Sequence, residues 1–241
     1  MLSMGRARHK TGTAATMRRR VQAAPDRFLT YANFKDLPAP AVAQTLSRLA
    51  RDRQIERVGK GLYYVPRQTA FGSSVPTGPD IAAHTALGTL HPAGVSAANV
   101  LGLTTQNSSG GEFATTRASQ PKALSKSRVL TGRDRSRDAL TQEEGALLEV
   151  MRDGANTADA NLDAITRRLT RIIRGRGAFA RLRTAAMREP PRVRAMLGAL
   201  AQDAGIPSKQ LTALSRSLSP YSRYDFGRLS QLRHADDWQA R

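Results

Sequence analysis

Residues 38–66, PAPAVAQTLSRLARDRQIERVGKGLYYVP, contain two hydrophobic patterns in succession. In the first part, Val42, Leu46 and Leu49 recur at helical spacing. Pro40 stands just before them, where a proline fits the first turn of a helix. The pattern then changes to short β-branched and aromatic runs, separated by a Gly-Lys-Gly turn. The stretch therefore predicts an amphipathic helix followed directly by a tight two-stranded hairpin.

The residues that precede this stretch complete a small module. Residues 13–24 predict a first helix, residues 28–30 a short extended piece, and residues 31–37 a second helix. This order of elements is that of a winged helix-turn-helix, a module that binds duplex DNA. Residues 1–11 are basic and predict an arm that lies along a phosphate backbone or in a minor groove. The alternative is that this N-terminal segment has no function.

The composition of the chain favours a polyanionic partner. Its 241 residues are enough for one large or two ordinary domains. Lys and Arg number 38 against 19 for Asp and Glu, which gives a formal net charge of +19. The simplest polyanion is nucleic acid. An arginine-rich composition without a binding role is the alternative.

Several classes of protein are disfavoured by what the sequence lacks. It contains no cysteine, which excludes disulfides and cysteine-ligated metal sites. The basic N-terminus is not followed by the apolar run of a secretory signal. No stretch approaches the roughly 20 apolar residues of a membrane span. We therefore expect a cytoplasmic protein that does not associate with membranes.

The chain is expected to form two domains. Residues 1–67 predict the winged-helix domain with its basic arm, and residues 68–80, rich in Gly, Pro, Ser and Thr, predict a linker. Residues 81–241 predict a larger C-terminal domain. The expected fold class is α+β: an N-terminal winged helix-turn-helix followed by a larger mixed, mainly helical C-terminal domain with a small sheet.

Local signals in the C-terminal domain support this class. Residues 112–117 and 127–131 are its best strand candidates. Thr141 and Glu144 have the spacing of a capping box ahead of an apolar helix, and helical patterns continue from there. Aromatic residues in the final segment predict a tail that packs against the domain.

The predicted DNA contacts follow from the exposed face of the helix and from the hairpin. Gln44 suits adenine and Arg48 suits guanine through paired hydrogen bonds. Arg51 and Arg53 are better placed for phosphates, and Lys60 is expected at the tip of the wing. The full set of predicted DNA-binding residues is Gln44, Arg48, Arg51, Arg53, Arg57, Lys60, Tyr63 and Arg18. The alternative is a winged helix that contacts protein. In that case the basic face would be an ordinary solvated surface.

A second basic patch is predicted in the C-terminal domain. Arginines are dense between residues 167 and 194, and along the sequence only Glu189 opposes them. The run consists of Arg167, Arg168, Arg171, Arg174, Arg176, Arg181, Arg183, Arg188, Arg192 and Arg194. Arg167, Arg171 and Arg174 share one helix face. DNA, RNA and an acidic protein all remain open as its ligand.

Signatures of an enzyme are absent from the sequence. It has no G-x-x-x-x-G-K-[ST], H-E-x-x-H or G-x-S-x-G motif. The scattered histidines suit structural or surface positions; they are His9, His84, His91 and His234. Four carboxylates lie in a charged loop or at a helix start, where acidic residues favour the helix dipole; they are Asp134, Asp138, Glu143 and Glu144. We expect no catalytic residues, no metal and no cofactor. A nucleic-acid-modifying enzyme that uses these carboxylates is the alternative.

Residues 45–66, TLSRLARDRQIERVGKGLYYVP, nearly reproduce the pattern ALSRLxRxxxIxRxGKGLYxxP. This segment resembles the winged-helix domain of AbiEi-like antitoxins of type IV toxin–antitoxin systems, which act in abortive infection, a phage defence. Residues 96–106, SAANVLGLTTQ, resemble a small-residue segment in the second domain of that family. Residues 218–241 resemble its C-terminal tail.

The resemblance implies a two-domain antitoxin. Its winged helix would bind inverted repeats in double-stranded DNA at its own promoter and repress its operon. Its C-terminal domain would counteract a cognate nucleotidyltransferase-type toxin, and the family implies this opposition without a stable complex. A protein-interaction module that binds an acidic partner directly is the alternative.

Overall fold

The chain forms two compact units, Met1–Pro76 and Thr77–Arg241, which we call the N-terminal unit and the C-terminal unit. The predicted α+β class is confirmed. The basic arm predicted for residues 1–11 lies outside the described residues. The computed structural model describes residues 12–70, 72–85, 89–108 and 110–241.

The N-terminal unit combines helices with a three-stranded antiparallel sheet of order β1-β3-β2. Its elements are α1 (Thr13–Gln22), β1 (Arg27–Thr30), a 3-10 turn (Tyr31–Phe34), α2 (Ala39–Arg51), β2 (Glu56–Gly59), β3 (Leu62–Val65), β4 (Gln68–Thr69) and β5 (Gly72–Ser73). The helix predicted for residues 31–37 is only the 3-10 turn. Leu37 precedes a proline, and such a residue is disfavoured in helical conformation.

The helices pack on the sheet through a small apolar core. Met17 of α1, Leu46 of α2 and Phe34 of the 3-10 turn are buried in one cluster with Tyr63 of β3. Strand β3 lies in the middle of the sheet, and all four of its residues are buried. On β3, the Tyr64 ring also packs against another aromatic residue, Phe28 of β1, with ring centroids 5.3 Å apart. The central strand thus anchors the hairpin β2–β3.

The residues predicted as a linker, 68–80, are folded in their first part. Ser74 Oγ donates a 2.6 Å hydrogen bond to Asp26, and the backbone N–H of Ser74 donates to the Arg67 carbonyl at 2.8 Å. Tyr64 Oη also donates to Asp26, at 2.9 Å. The hydrogen bond from Ser74 makes the largest contribution to lowering the pKa of Asp26, and the one from Tyr64 lowers it further. The charge of Arg67 also lowers this pKa. Asp26 therefore ties this segment to the sheet.

The C-terminal unit is mainly helical and carries a second three-stranded sheet of order β6-β7-β8. Strands β6 and β7 are antiparallel, and β7 and β8 are parallel. Its elements are α3 (Gly78–Thr85), β6 (Leu90–Pro92), α4 (Gly94–Val100), β7 (Glu112–Thr115), β8 (Arg128–Leu130), α5 (Gln142–Arg152), α6 (Leu162–Ile173), α7 (Ala178–Ala186), α8 (Pro191–Asp203) and α9 (Ser208–Arg216). Short 3-10 turns occupy Lys122–Leu124, Arg135–Ala139, Gly227–Gln231 and Asp236–Trp238.

Helix α5 is the central element of this unit. Every residue from Glu144 to Met151 is buried. The predicted capping box is present: Thr141 Oγ1 accepts from the Glu144 N–H at 3.2 Å, and the Glu144 carboxylate accepts from the Thr141 N–H at 3.0 Å. Gly145 lies directly against the ring of His91 on β6, so a Cβ there would be 2.2 Å from Nδ1. A glycine is therefore required for this close approach.

A buried cluster of charged side chains joins three segments of the C-terminal unit. Arg137 is fully buried and donates to Glu149 of α5 at 2.5 Å and to Glu189, after α7, at 2.7 Å. Arg133 also donates to Glu149, at 2.8 Å, and Arg152 donates to Glu189 at 2.6 Å. Burial acts to raise the pKa of Glu149, but the hydrogen bond from Arg133 and the charge of Arg137 outweigh it and lower that pKa. Glu149 is therefore held ionised.

The final segment packs against the C-terminal unit, as predicted from its aromatic residues. Phe226 and Trp238 are buried in the main core. The Trp238 ring lies against Gly198 of α8, and its Nε1 donates to Gln202 Oε1 at 2.8 Å. Across the described residues, no helix has the length and apolar character needed to cross a bilayer.

Substitution of Gly145 by Ala should destabilise the protein through overpacking. The new methyl group would overlap the His91 ring, and such overlaps cost about 1–3 kcal/mol. In a His91→Ala background the same change should cost much less, because the ring is gone. Urea unfolding of the four proteins of this cycle measures the coupling. If Gly145→Ala lowered the free energy of unfolding equally in both backgrounds, the contact between Gly145 and the His91 ring would be contradicted.

Substitution of Arg137 by Met should destabilise the protein strongly. Removal of one partner of a buried ion pair leaves uncompensated charge, at a typical cost of about 3–5 kcal/mol. Arg135 stands two residues earlier and is exposed, so Arg135→Met is the matched control and should change the free energy of unfolding by less than about 0.5 kcal/mol. Urea unfolding measures both. Similar effects of the two variants would show that the cluster is not a structural constraint.

Candidate nucleic-acid interface

Helix α2 separates an apolar face from a polar, basic face. Val42, Leu46 and Leu49 are buried in the core of the N-terminal unit. Gln44, Arg48 and Arg51 project from the opposite side and are all exposed. The helical spacing of the sequence therefore predicted both faces correctly.

Arg53 is exposed in the turn that follows α2. Its φ is 56°, a left-handed conformation that ends the helix. The Gln54 N–H then donates to the Leu49 carbonyl at 2.9 Å, which closes the turn. Arg53 therefore lies just beyond the basic face of α2.

The hairpin β2–β3 adds two more exposed cations, Arg57 on β2 and Lys60 in the turn. Gly59 pairs with Leu62, so the turn is a two-residue loop. Gly61 in that loop has a φ of 70°, which favours glycine. The pairing skips Val58, so β2 contains a bulge.

The prediction for Tyr63 was wrong. Its side chain is only 3% exposed because β3 is the central strand and both of its faces are covered. Burial raises the pKa of Tyr63, and a hydrogen bond with Tyr31 raises it further. Tyr63 therefore supports the hairpin from inside and does not reach a ligand.

Tyr31 is a residue of this region that the sequence did not single out. It is 46% exposed, and its ring lies so close to Gly61 that a Cβ there would be 3.2 Å from Cε2. The ring therefore supports the turn that carries Lys60. Two residues separated by thirty positions give no local signal of this contact.

Arg18, which was predicted to contact DNA, is exposed on α1. Arg20, on the same helix, is already paired with Asp36 at 2.6 Å. Arg18 has no such partner among the described residues.

The cations of this surface are uncompensated. Asp52 and Glu56 lie in the same segment, but neither forms an ion pair with a described residue. We define the basic surface of the N-terminal unit as Gln44, Arg48, Arg51, Arg53, Arg57, Lys60 and Arg18. The side chains of this set form no hydrogen bond or ion pair with any described residue, so they are free to bind a ligand.

The predicted second patch is exposed on α6. Arg167, Arg171 and Arg174 all face solvent. Glu189 is the one acidic residue within the arginine run, but carboxylates from outside the run pair with two of its arginines. Arg168 pairs with Glu143 at 2.6 Å and Arg181 with Glu144 at 2.5 Å. These carboxylates come from α5, more than twenty residues away in sequence, so the pattern along the run could not reveal them.

The four carboxylates considered for a metal have other partners. Glu143 and Glu144 bind arginines as described above. Asp138 accepts from Thr116 Oγ1 at 2.7 Å, and Asp134 accepts from the Ser136 N–H at 2.9 Å. In the part of the chain that the structure describes, no cluster of three or more His, Asp or Glu residues could hold a metal ion.

His84 and His91, predicted as structural or surface residues, occupy such positions. His84 is exposed on α3. His91 is buried, and its Nε2 lies 3.1 Å from the Arg137 carbonyl oxygen. Burial lowers the pKa of His91, and the charge of Arg137 lowers it further.

Comparison with known proteins places a similarity over the N-terminal unit and the first part of the C-terminal unit. A family model described as a family of unknown function (DUF6088) matches residues 15–131, just under half of the chain. The matched range includes α2, the hairpin β2–β3 and strands β6 to β8. The search of curated proteins and the search of solved structures each returned no match.

Single substitutions of the exposed basic residues should leave the fold intact. Arg48→Ala, Arg51→Ala and Lys60→Ala remove no internal contact, so each should change the free energy of unfolding by less than about 0.5 kcal/mol. Tyr63→Ala removes a buried aromatic ring and should cost about 3–5 kcal/mol. Urea unfolding compares the two groups. A large loss in the exposed variants would mean that they have a structural role.

Proposed function

We propose that the N-terminal unit binds duplex DNA as a winged helix. Helix α2 would enter the major groove, and the hairpin β2–β3 would act as the wing. The observation that carries this proposal is the set of free basic side chains on one face of α2 and on the adjoining hairpin. Those side chains have no partner in the described part of the chain.

The order of elements in this unit supports the proposal. Helix α1, strand β1, the 3-10 turn, helix α2 and the hairpin follow one another as in a winged helix-turn-helix. The apolar face of α2 is fully used by the core, so its polar face is available to a groove. The charge of the whole chain, +19, adds long-range attraction for a polyanion.

Each exposed residue has a chemical role in this proposal. Gln44, in the middle of α2, and Arg48, in its last turn, suit paired hydrogen bonds to adenine and guanine. Arg51 and Arg53, near the end of α2, suit phosphates, which fix the register without reading the sequence. Lys60, at the wing tip, suits a backbone or a minor groove.

We further propose that the chain is a DNA-binding antitoxin that represses its own operon and counteracts a nucleotidyltransferase-type toxin. This proposal rests on the resemblance of residues 45–66, 96–106 and 218–241 to AbiEi-like antitoxins. Its test is growth rescue: expression of the full chain should restore growth to cells that express the product of the neighbouring gene. Failure of rescue would remove the antitoxin proposal and leave DNA binding untouched.

DNA binding should be salt-dependent, and two variants should affect it differently. Arg48→Ala should reduce the preference for the chain's own promoter over an unrelated duplex, because it removes a base contact worth about 1–3 kcal/mol. Lys60→Ala should weaken binding to both duplexes alike and reduce the salt slope by about 1. Fluorescence anisotropy over a series of salt concentrations measures both effects.

The matched control for these variants is Arg117→Ala. Arg117 is an exposed arginine of the C-terminal unit and lies outside the proposed surface, so its removal should change neither the preference nor the slope. If the wild-type chain binds no promoter DNA even at low salt, the DNA-binding proposal fails.

A further inference from the structure

Four of the ten arginines between residues 167 and 194 are committed to the following internal contacts. Arg168 and Arg181 pair with carboxylates of α5, at 2.6 Å and 2.5 Å. Arg183 donates to the Gln210 carbonyl at 3.2 Å, and Arg192 donates to the Arg152 carbonyl. These side chains hold the helices of the C-terminal unit together and are not available to a ligand.

Four arginines on or next to α6 remain exposed; we call Arg167, Arg171, Arg174 and Arg176 the α6 arginine face. Arg167, Arg171 and Arg176 have side chains that form no hydrogen bond or ion pair with any described residue. Arg174 uses Nε to donate to the Ala204 carbonyl at 2.9 Å, which fixes its side chain and leaves its terminal nitrogens unpaired. The first three residues are spaced as i, i+4 and i+7, opposite the buried Ile165, Leu169 and Ile172.

No arginine of this face forms an ion pair with a described carboxylate; Glu143 and Glu144 lie nearby but pair with Arg168 and Arg181. Like charges four residues apart destabilise a helix, and Arg167 and Arg171 have that spacing. Asp163 lies one turn before Arg167 but forms no ion pair with a described residue. A ligand with closely repeated negative charges would relieve this repulsion at every arginine.

The chemistry of the face favours nucleic acid over a protein partner. At protein interfaces arginine occurs together with aromatic residues and Met around an apolar centre that is depleted of charge. The large hydrophobic residues that are exposed within the described residues all lie outside α6; they are Tyr31, Val75, Val100, Met187 and Tyr221. Guanidinium groups, in contrast, bind phosphate through two hydrogen bonds in a planar fork.

We propose that the α6 arginine face binds the phosphodiester backbone of duplex DNA, as a second contact independent of sequence. The choice of duplex DNA rests on the proposed function of the N-terminal unit. If that unit binds a DNA duplex, the effective concentration of the duplex at the C-terminal unit of the same chain rises. The second contact adds affinity and salt dependence but no base preference.

The test compares two triple variants of the full chain. Arg167→Ala/Arg171→Ala/Arg176→Ala removes three free arginines of the face. Arg117→Ala/Arg135→Ala/Arg216→Ala is the control. It removes the same charge from three exposed arginines that are far apart in the sequence, none of which has a side-chain partner among the described residues. Affinity for the promoter duplex, for an unrelated duplex of equal length and for single-stranded RNA is measured over a series of salt concentrations.

The face variant should weaken binding to both duplexes equally and reduce the slope of log affinity against log salt by roughly 0.9 for each lost phosphate contact. The control variant should keep the wild-type slope. If the face variant and the control variant behave alike, the proposal is overturned. If the face variant weakens binding to RNA but not to duplex DNA, the choice of ligand is overturned. Should the triple variant fail to fold, Arg171→Ala alone should reduce the slope by about 0.9.

The two proposals fail separately in this experiment. Lys60→Ala tests the wing of the N-terminal unit in the same assay. If Lys60→Ala and Arg48→Ala have no effect while the face variant weakens binding, the winged-helix proposal fails and the α6 proposal stands. If only Lys60→Ala and Arg48→Ala weaken binding, the α6 proposal fails and the winged-helix proposal stands. If the wild-type chain binds neither duplex, both fail.

Discussion

The arrangement of the C-terminal unit depends on the burial of Arg137. A guanidinium group without water must have anionic partners, because the cost of burying an unpaired charge is several kcal/mol or more. Glu149 and Glu189 supply that charge from two segments that lie 12 and 52 residues away in sequence. Such a cluster adds little net stability over apolar packing, but any arrangement that separates its members is costly. It therefore selects one way of joining α5 to the segment after α7.

The parts of the fold that follow from local pattern could be predicted from the sequence. The change from helical to strand periodicity within residues 38–66 gives α2 and the hairpin β2–β3, and the helical period alone assigns Gln44, Arg48 and Arg51 to the exposed face. The capping box of α5 is equally local. In each case the signal lies within a few residues of the element that it specifies.

The remaining features depend on contacts between distant segments. Tyr63 is buried because β3 is the central strand, and no alternation in four consecutive apolar or aromatic residues marks which face is covered. Strand β6 and helix α7 were not predicted: β6 has three residues and includes a proline, and α7 follows a glycine-rich turn. The partners of Arg168 and Arg181 come from α5. A single sequence does not contain these pairings.

The bulge at Val58 has a consequence for how this hairpin can change in evolution. Because β2 carries one residue more than its partner, the two-residue loop and the direction of Lys60 are coupled to the position of that extra residue. Substitutions at the tip are then cheap, since only Gly61 has a backbone requirement there. Gain or loss of a single residue in β2 would instead turn its side chains to the other face. In hairpins that diverge from this one, the fold is therefore expected to constrain the length of β2 more strictly than the side chain at the tip, where ligand binding sets the constraint.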